Sequence, residues 1–375
     1  MVRDTAQKNR DAVYREGAAA IAAGKAFLNP ESRFSRDVSI AFASLVANKE
    51  TSILDATAAT GIRGIRYYLE TKSRDITMLD MNRDAYLSAK RNAASNGAAA
   101  RIFNKSIQQF CNTTRERFSI VDYDPFGGVA PTLFDLFKVV KDNGYLMLTA
   151  TDTAVLCGAH ENACLRYYDS KPMHNELCYE VGLRILVGYS ARTASQFNFG
   201  IEPVVSFSYK HYMRSILRLR HGAESAKQSI KDMGHASMCN RCGYRSTEKG
   251  PVASATVCPN CSSELATAGK LWLGQLNDKP IIRKMLSKKR NTFEKDGIKL
   301  LETIINEADA TLYYSIPRMS KRLGLPSSSP FKVMERLRSN GFTATRTHYD
   351  PDAVKTDAPI EEVMRAVSKS QNQGL

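Results

Sequence analysis

A doubly wound α/β fold is what the sequence predicts, and three features predict it. Between residues 51 and 151, short apolar runs alternate with stretches of helical periodicity, the pattern of parallel strands joined by crossover helices. The first run, residues 51–56, leads into a glycine-containing turn, Gly61 to Gly64, that opens a helix. The second, residues 75–80, ends in the carboxylate Asp80, and sheets of this kind bind ligands at the carboxyl ends of their strands.

The elements follow in order. Residues 9–25, rich in Ala with Glu and Arg, read as an N-terminal helical segment stopped by Asn29-Pro30. After the glycine turn a helix runs through Glu70; a second spans residues 84–96 and closes at Gly97. Further strands are expected at residues 101–103, 117–122 and 144–151, with a helix over 129–141. A helix over residues 174–197 precedes two β-rich segments, 202–209 and 212–219. They lie close enough in sequence to form an antiparallel hairpin that finishes the sheet. Residues 222–270 form a cysteine-bearing insert. Beyond it, helices at 279–288, 293–308, 316–323 and 330–340 and a strand at 342–347 suggest a winged-helix-like module. The expected division is residues 1–220 for the sheet domain and 221–375 for the C-terminal domain.

With 375 residues, 43% of them hydrophobic, the chain can bury a sizeable core. Its net charge of +15 favours a polyanionic partner, nucleic acid first. No apolar run is long enough to span a membrane, and the polar residues 1–10 do not form a secretory signal, so a cytoplasmic protein is expected. Thiols stay reduced there, so the eight cysteines should be free or metal-bound. Cys111, Cys157, Cys164 and Cys178 are scattered and read as small core residues.

Three motifs carry chemistry. Asp55-Ala-Thr-Ala-Ala-Thr-Gly61-Ile-Arg63-Gly64 follows the first strand, and its glycines let backbone approach a ligand. The spacing is not the Gly-x-Gly-x-x-Gly of dinucleotide folds, which weakens a dehydrogenase reading. Asp80, placed to take the two hydroxyls of a ribose, makes a nucleoside cofactor the better reading. Asp124-Pro125-Phe126-Gly127 ends the fourth strand. A carboxylate there can accept N–H from an exocyclic base amine, whose lone pair is otherwise delocalised into the ring. Pro125 stiffens the turn and Phe126 offers a stacking face. A base reaching such a pocket must leave its stack, and Phe27 is a candidate to hold its other side. The third motif, Cys239-x2-Cys242-x15-Cys258-x2-Cys261, has the spacing of a structural four-cysteine zinc site with no open coordination position.

Together these residues resemble the tRNA (guanine-26-N2)-dimethyltransferase family. The likeness covers nearly the whole chain: Phe27-Leu-Asn29-Pro30, Ser35-Arg36-Asp37, the Asp55–Arg66 loop, Asp124-Pro-Phe-Gly, Thr149-Ala-Thr-Asp152, Glu180-x-Gly-Leu-Arg184, His211-Tyr212-x-Arg214, Leu271-Trp272-x-Gly274 and Thr347-His348-Tyr349. The resemblance implies a Rossmann-like class I methyltransferase sheet with a zinc-knuckle insert and a winged-helix-like α+β C-terminal domain. It implies S-adenosylmethionine as methyl donor, zinc as structural metal and tRNA as partner, with no obligate protein partner. Carried over by position, Arg36, Arg66 and Asp80 should contact the methyl donor, with Arg63 beside them; Asp55 and Gly61 belong to its loop, and Ser106 and Ile107 should pass the adenine. Asp124 should orient the guanine amine, with Phe27, Pro125 and Phe126 around the base. The family usually has Asn at Ser35, Ser at Gly128 and Asp-Ala at Ser106-Ile107. The alternatives are an amine methyltransferase acting on another base and a non-catalytic, zinc-containing tRNA-binding protein.

Overall fold

The computed structural model describes residues 13–22 and 24–370. The chain begins with β1 (Val13–Glu16) and β2 (Ala19–Ala22), an antiparallel hairpin rather than the helix expected over residues 9–25. Residues 9–12 and 23 of that expectation lie outside the described residues. Tertiary contacts override the helix propensity of the alanines. Gly17, at φ +55, makes the turn, and Glu16 is drawn inward to Arg36 and Arg66. The free edge of β2 is closed by side-chain amides. Asn96 accepts from Ala20 N (2.8 Å) and donates to Ala20 O (2.8 Å), and Asn92 does the same for Ala22 (3.0 and 3.1 Å).

After α1 (Arg33–Val46) come β3 (Ser52–Asp55), α2 (Ile62–Glu70), β4 (Asp75–Leu79), α3 (Arg83–Ser95), β5 (Ala100–Phe103), α4 (Ile107–Thr113), β6 (Phe118–Tyr123), α5 (Ala130–Leu136) and β7 (Val140–Ala150). The strand–helix alternation is as expected, with α1 and α4 added and one boundary moved. The helix expected over 129–141 stops at Leu136, because Val139 and Val140 are β-branched, buried and paired with Phe118. Next come α6 (Thr153–Leu156), α7 (Glu161–Tyr168), α8 (Cys178–Ser195), β8 (Phe199–Tyr209) and β9 (Tyr212–His221). Only Lys210 and His211 join β8 to β9, a connection that requires antiparallel pairing.

The sheet has seven strands in the order β5-β4-β3-β6-β7-β9-β8, and the pairings of β3 with β4 and β6, of β4 with β5 and of β6 with β7 are parallel. Strand order reverses between β3 and β6. Their carboxyl ends are therefore where an open α/β sheet forms its crevice.

The rest of the chain comprises α9 (Ala223–Lys231), β10 (Met233–Met238), β11 (Arg245–Lys249), β12 (Ala266–Trp272), α10 (Lys279–Lys289), α11 (Lys295–Asn306), β13 (Tyr314–Ser315), α12 (Ile316–Arg322), α13 (Pro330–Ser339), β14 (Ala344–Arg346), β15 (Ala353–Thr356) and α14 (Ile360–Lys369). The cysteine insert is built on a three-stranded sheet, β11-β10-β12. The C-terminal module pairs a three-stranded sheet, β13-β15-β14, with α12, α13 and α14 around a core that includes Ile316, Met319, Val333, Leu337, Val354 and Val363. The helices and one strand of this module were expected; β13, β15 and α14 add to them.

The described chain falls into two units. One takes in residues up to 149 with 216–221 and 280–298; the other takes in 150–215, 222–279 and 299 onward. Among the described residues, no helix is long and apolar enough to cross a membrane.

Candidate active site

Asp124 stands one residue beyond β6, half-buried, at the crevice. Residues two apart on an extended strand share a face, so Asp122 and Asp124 address the same neighbour, Arg63 of α2. Arg63 donates from Nη1 to Asp122 (3.1 Å) and to Ser39 Oγ (2.9 Å), and from Nη2 to Asp124. One helical turn on, Tyr67 donates its hydroxyl to Asp122 (2.6 Å). The Asp124 backbone N–H is held by Thr57 Oγ1 (3.0 Å), which ties the Asp-Pro-Phe loop to the glycine loop. The carboxylate is thus paired with Arg63, aimed and still 21% exposed.

Two aromatic rings open to solvent beside it. Phe126 is 79% exposed and Phe27 is 55% exposed, and their centroids lie 4.8 Å apart, edge to face. Exposed rings in mutual contact leave apolar faces that a planar ligand can cover. Pro125, half-buried, separates Asp124 from Phe126.

The glycine loop is organised from beneath by Asp55, which is 1% exposed and accepts the Gly64 N–H at 3.0 Å. Asp55 and Asp122 are neighbours across β3 and β6. Burial pushes the Asp55 carboxyl up to about 7; Arg63 opposes this and Asp122 adds to it. Gly61, at φ +82, starts α2 with its α-carbon packed on Ala89, where an added Cβ would lie 3.1 Å from that backbone. Asp80, just past β4, accepts from Ala59 N and Asn82 N, both at 2.8 Å. A carboxylate has about four acceptor sites, and these two bonds use about half of them. Ser106 caps α4: its hydroxyl accepts from Gln109 N and its N–H donates to the Gln109 side chain, both at 3.1 Å. Ile107 is buried at the first position of that helix.

Arg36 and Arg66 belong to a second cluster. Arg66 is fully buried and pairs with Glu16 (2.6 Å), Asp37 (2.7 Å) and Glu70 (2.8 Å), while Arg36 pairs with Glu16 (2.6 Å) and donates to Asn29 O (3.1 Å). Burial raises Glu16, but Arg36 and Arg66 outweigh it and hold it below the usual carboxylate range. Asp37 is pushed up to about 6 by burial, against the pull of Arg66. Removing one partner of a buried ion pair strands the others. We therefore expect Arg66→Met to lower stability by about 3–5 kcal/mol in a urea titration; an unchanged midpoint would show that the cluster is not a structural anchor.

The four motif cysteines converge. Their Sγ atoms all lie within 4.8 Å of one another, with Cys239 to Cys261 at 3.4 Å and Cys242 to Cys258 at 3.6 Å. Tetrahedral sulfurs about 2.3 Å from one ion would stand about 3.8 Å apart, so the donor set fits. Each pair sits on the same kind of turn, with a positive-φ residue after its second cysteine: Gly243 (φ +85) and Ser262 (φ +57). None of the eight cysteines is in a disulfide.

Sequence reading singled out Asp124 and Arg63 but missed their link, and with it Asp122, Tyr67 and Thr57. The spacings Asp122/Asp124 and Arg63/Tyr67 were the available signals. It also missed Asn104, whose amide bridges the carbonyls of Asp80 (2.9 Å) and Met81 (3.0 Å), and Met81 itself, 76% exposed next to the expected ribose carboxylate.

An open sheet whose order reverses beside Asp124, a carboxylate at the next strand tip and an exposed Asp-Pro-Phe loop define a Rossmann-like enzyme of the class I methyltransferase type. Residues 8–368 match the family described as N2,N2-dimethylguanosine tRNA methyltransferase. The tRNA (guanine(26)-N(2))-dimethyltransferase of Pyrococcus abyssi is 34% identical over 364 residues, covering 92% of this chain and 93% of that protein. The enzyme of the same name from Pyrococcus furiosus is 35% identical, covering 90% and 92%. Among solved structures, Trm1 from Pyrococcus horikoshii in complex with S-adenosyl-L-methionine matches with a TM-score of 0.87 at 33% identity, covering 95% of this chain and 99% of that one. The chain belongs to the N2,N2-dimethylguanosine tRNA methyltransferase family.

Proposed function

We propose that this protein methylates the N2 amine of guanine 26 in tRNA, twice, using S-adenosylmethionine. The observation that carries the reading is a partly exposed carboxylate, Asp124, held by Arg63 and Thr57 beside two exposed aromatic rings at the crevice of the sheet. S-adenosylmethionine, when bound, supplies an electrophilic methyl group. Asp80 would take its ribose with the two acceptor sites left open. Asp55, Gly61, Arg63, Ser106 and Ile107 would shape its pocket, and Arg36 and Arg66 would serve it through the buried cluster that holds α1 against α2.

The target guanine must leave its stack, at roughly a few kcal/mol, and the rings of Phe27 and Phe126 would receive it. Asp124 accepts one N2–H and turns the nitrogen lone pair toward the methyl carbon. The bound donor would give up its methyl group to the nitrogen, and the proton the nitrogen sheds would pass to the Asp124 carboxylate or to water. Positioning, rather than strong base catalysis, supplies most of the rate. The second transfer needs the remaining N–H to face the same acceptor. Cys239, Cys242, Cys258 and Cys261 would hold one zinc ion. Residues 221–375 would bind tRNA, largely through phosphates, in the cytoplasm, where the free cysteines stay reduced.

Base–aromatic stacking is worth about 1–3 kcal/mol. Phe126→Ala should therefore lower kcat/KM by roughly 5- to 150-fold, and Phe126→Trp should restore most of it; an alanine variant as active as wild type would remove the ring from the account. The function itself is tested by incubating unmodified tRNA with S-adenosylmethionine and digesting to nucleosides for mass spectrometry. N2,N2-dimethylguanosine is expected, and none from a tRNA with adenine at position 26. Methyl groups on another atom or base would overturn the proposal.

A further inference from the structure

We propose that Lys288, Lys289 and Arg290, together with Arg33, form a groove that binds the RNA backbone beside the base-receiving loop. This inference rests on the tRNA reading above and adds to it a place where part of the substrate's backbone is held.

These three residues belong by sequence to the C-terminal half, yet residues 280–298 fold as part of the unit that carries Asp124. Two contacts fix them there. Phe293 packs against Phe34 of α1 with ring centroids 6.1 Å apart, and Glu294 pairs with Arg33 at 3.0 Å. Gly297 permits the approach, because a Cβ at that position would lie 2.6 Å from the Phe34 ring. The short helical turn Arg290–Thr292 is thereby set against the start of α1.

Between this turn and the β1–β2 turn runs a groove of about 440 Å³, lined on one side by Ser287 to Thr292 and on the other by Gly17, Ala18, Arg33 and Glu70. At about 30 Å³ per water it holds roughly fifteen, ample for a hydrated phosphodiester. Its charge is strongly positive. Lys288 and Arg290 are exposed and Lys289 half-buried, and neither lysine has an ion-pair partner among the described residues. Glu70, the one carboxylate among the lining residues, is engaged by Arg66 and the Ala18 N–H, while Glu294 and Asp37 pair with Arg33 from outside the lining. Ser287, Asn291 and Thr292 add hydrogen-bonding groups suited to phosphate oxygens. Arg33 follows Phe27 by six residues, so the groove edge lies within roughly 20 Å of the exposed ring. The nucleotides flanking an everted guanine can span that distance. Three lysines and arginines in sequence read equally well as a solvated charge run. What distinguishes this one is that packing presents it to a concave, polar wall of the unit that carries Asp124.

The test is the combined variant Lys288→Ala, Lys289→Ala, Arg290→Ala in the full-length protein, with Lys288→Arg, Lys289→Arg as the charge-conserving control. Dissociation constants for unmodified tRNA are measured across a salt series, and a thermal melt checks the fold. Each phosphate contact contributes roughly 0.7–0.9 to the slope of log affinity against log salt. The alanine variant should weaken binding at least tenfold near 100 mM salt and flatten the slope by about 2, while the arginine pair stays near wild type. A well-folded alanine variant with unchanged affinity and slope would overturn the groove. If wild type binds tRNA through this groove yet transfers no methyl to guanine N2, the functional reading fails and the groove stands.

Discussion

Replacing Asp124 with Ala is expected to lower methyl transfer about a thousandfold while leaving the fold and tRNA binding in place. The size follows from what a preorganised partner at the reacting atom contributes, about 10²–10³ for a single group, with some loss of orientation added. The separation from stability follows from the geometry. Asp124 is one of two carboxylates on Arg63, and the other, Asp122, is fully buried and also held by Tyr67. Deleting Asp124 therefore leaves Arg63 paired with a buried carboxylate, and the fold should hold. Deleting Arg63 would leave Asp122 buried without its cation and should destabilise the fold by about 3–5 kcal/mol. Single-turnover rates with saturating tRNA and S-adenosylmethionine, alongside tRNA affinity and a denaturant titration, distinguish the two variants. Near-normal turnover by Asp124→Ala would remove this carboxylate from the chemistry.

Stripping the metal is expected to unfold the cysteine module. Cys239, Cys258 and Leu265 form its small core, with Cys242, Tyr244 and Cys261 packed around them. So few side chains cannot hold two turns by burial alone. A structural zinc contributes about 10–16 kcal/mol of binding free energy, and that is folding free energy for such a module. Purified protein should contain about one zinc per chain. Chelation, or Cys258→Ser, should remove it and abolish amide-exchange protection over residues 239–265, while protection in β3, β4 and β6 persists. Metal-free protein with full protection over 239–265 would show that the four thiols need no ion.

How much of this was legible in the sequence depended on the range of the interaction. Strands β3, β4, β6 and β7 were readable because a parallel sheet buried on both faces writes itself as short apolar runs, as in Leu146–Leu148. Asp80 and Asp124 were readable because strand ends carry the site in this architecture. The β1–β2 hairpin was not. Its alanines favour a helix locally, and what holds it as strands are the amides of Asn92 and Asn96, 70 and 76 residues away. The bond from Arg63 to Asp124 joins residues 61 apart: the local spacings 122/124 and 63/67 mark two polar faces but do not say that the faces meet. In the C-terminal module, β13 is two residues long, too short to carry a periodicity. The four cysteines were readable in full, since their spacing alone encodes the two turns that converge.

Asp124 is proposed to orient an everted guanine between Phe27 and Phe126. A structure of the protein with tRNA and S-adenosylhomocysteine, the demethylated donor, tests it most directly. The guanine N2 should lie within about 2.6–3.2 Å of the Asp124 carboxylate, its ring covered by both phenylalanines. A guanine bound away from that loop, or an Asp124 still turned to Arg63 with no contact to the base, would contradict it.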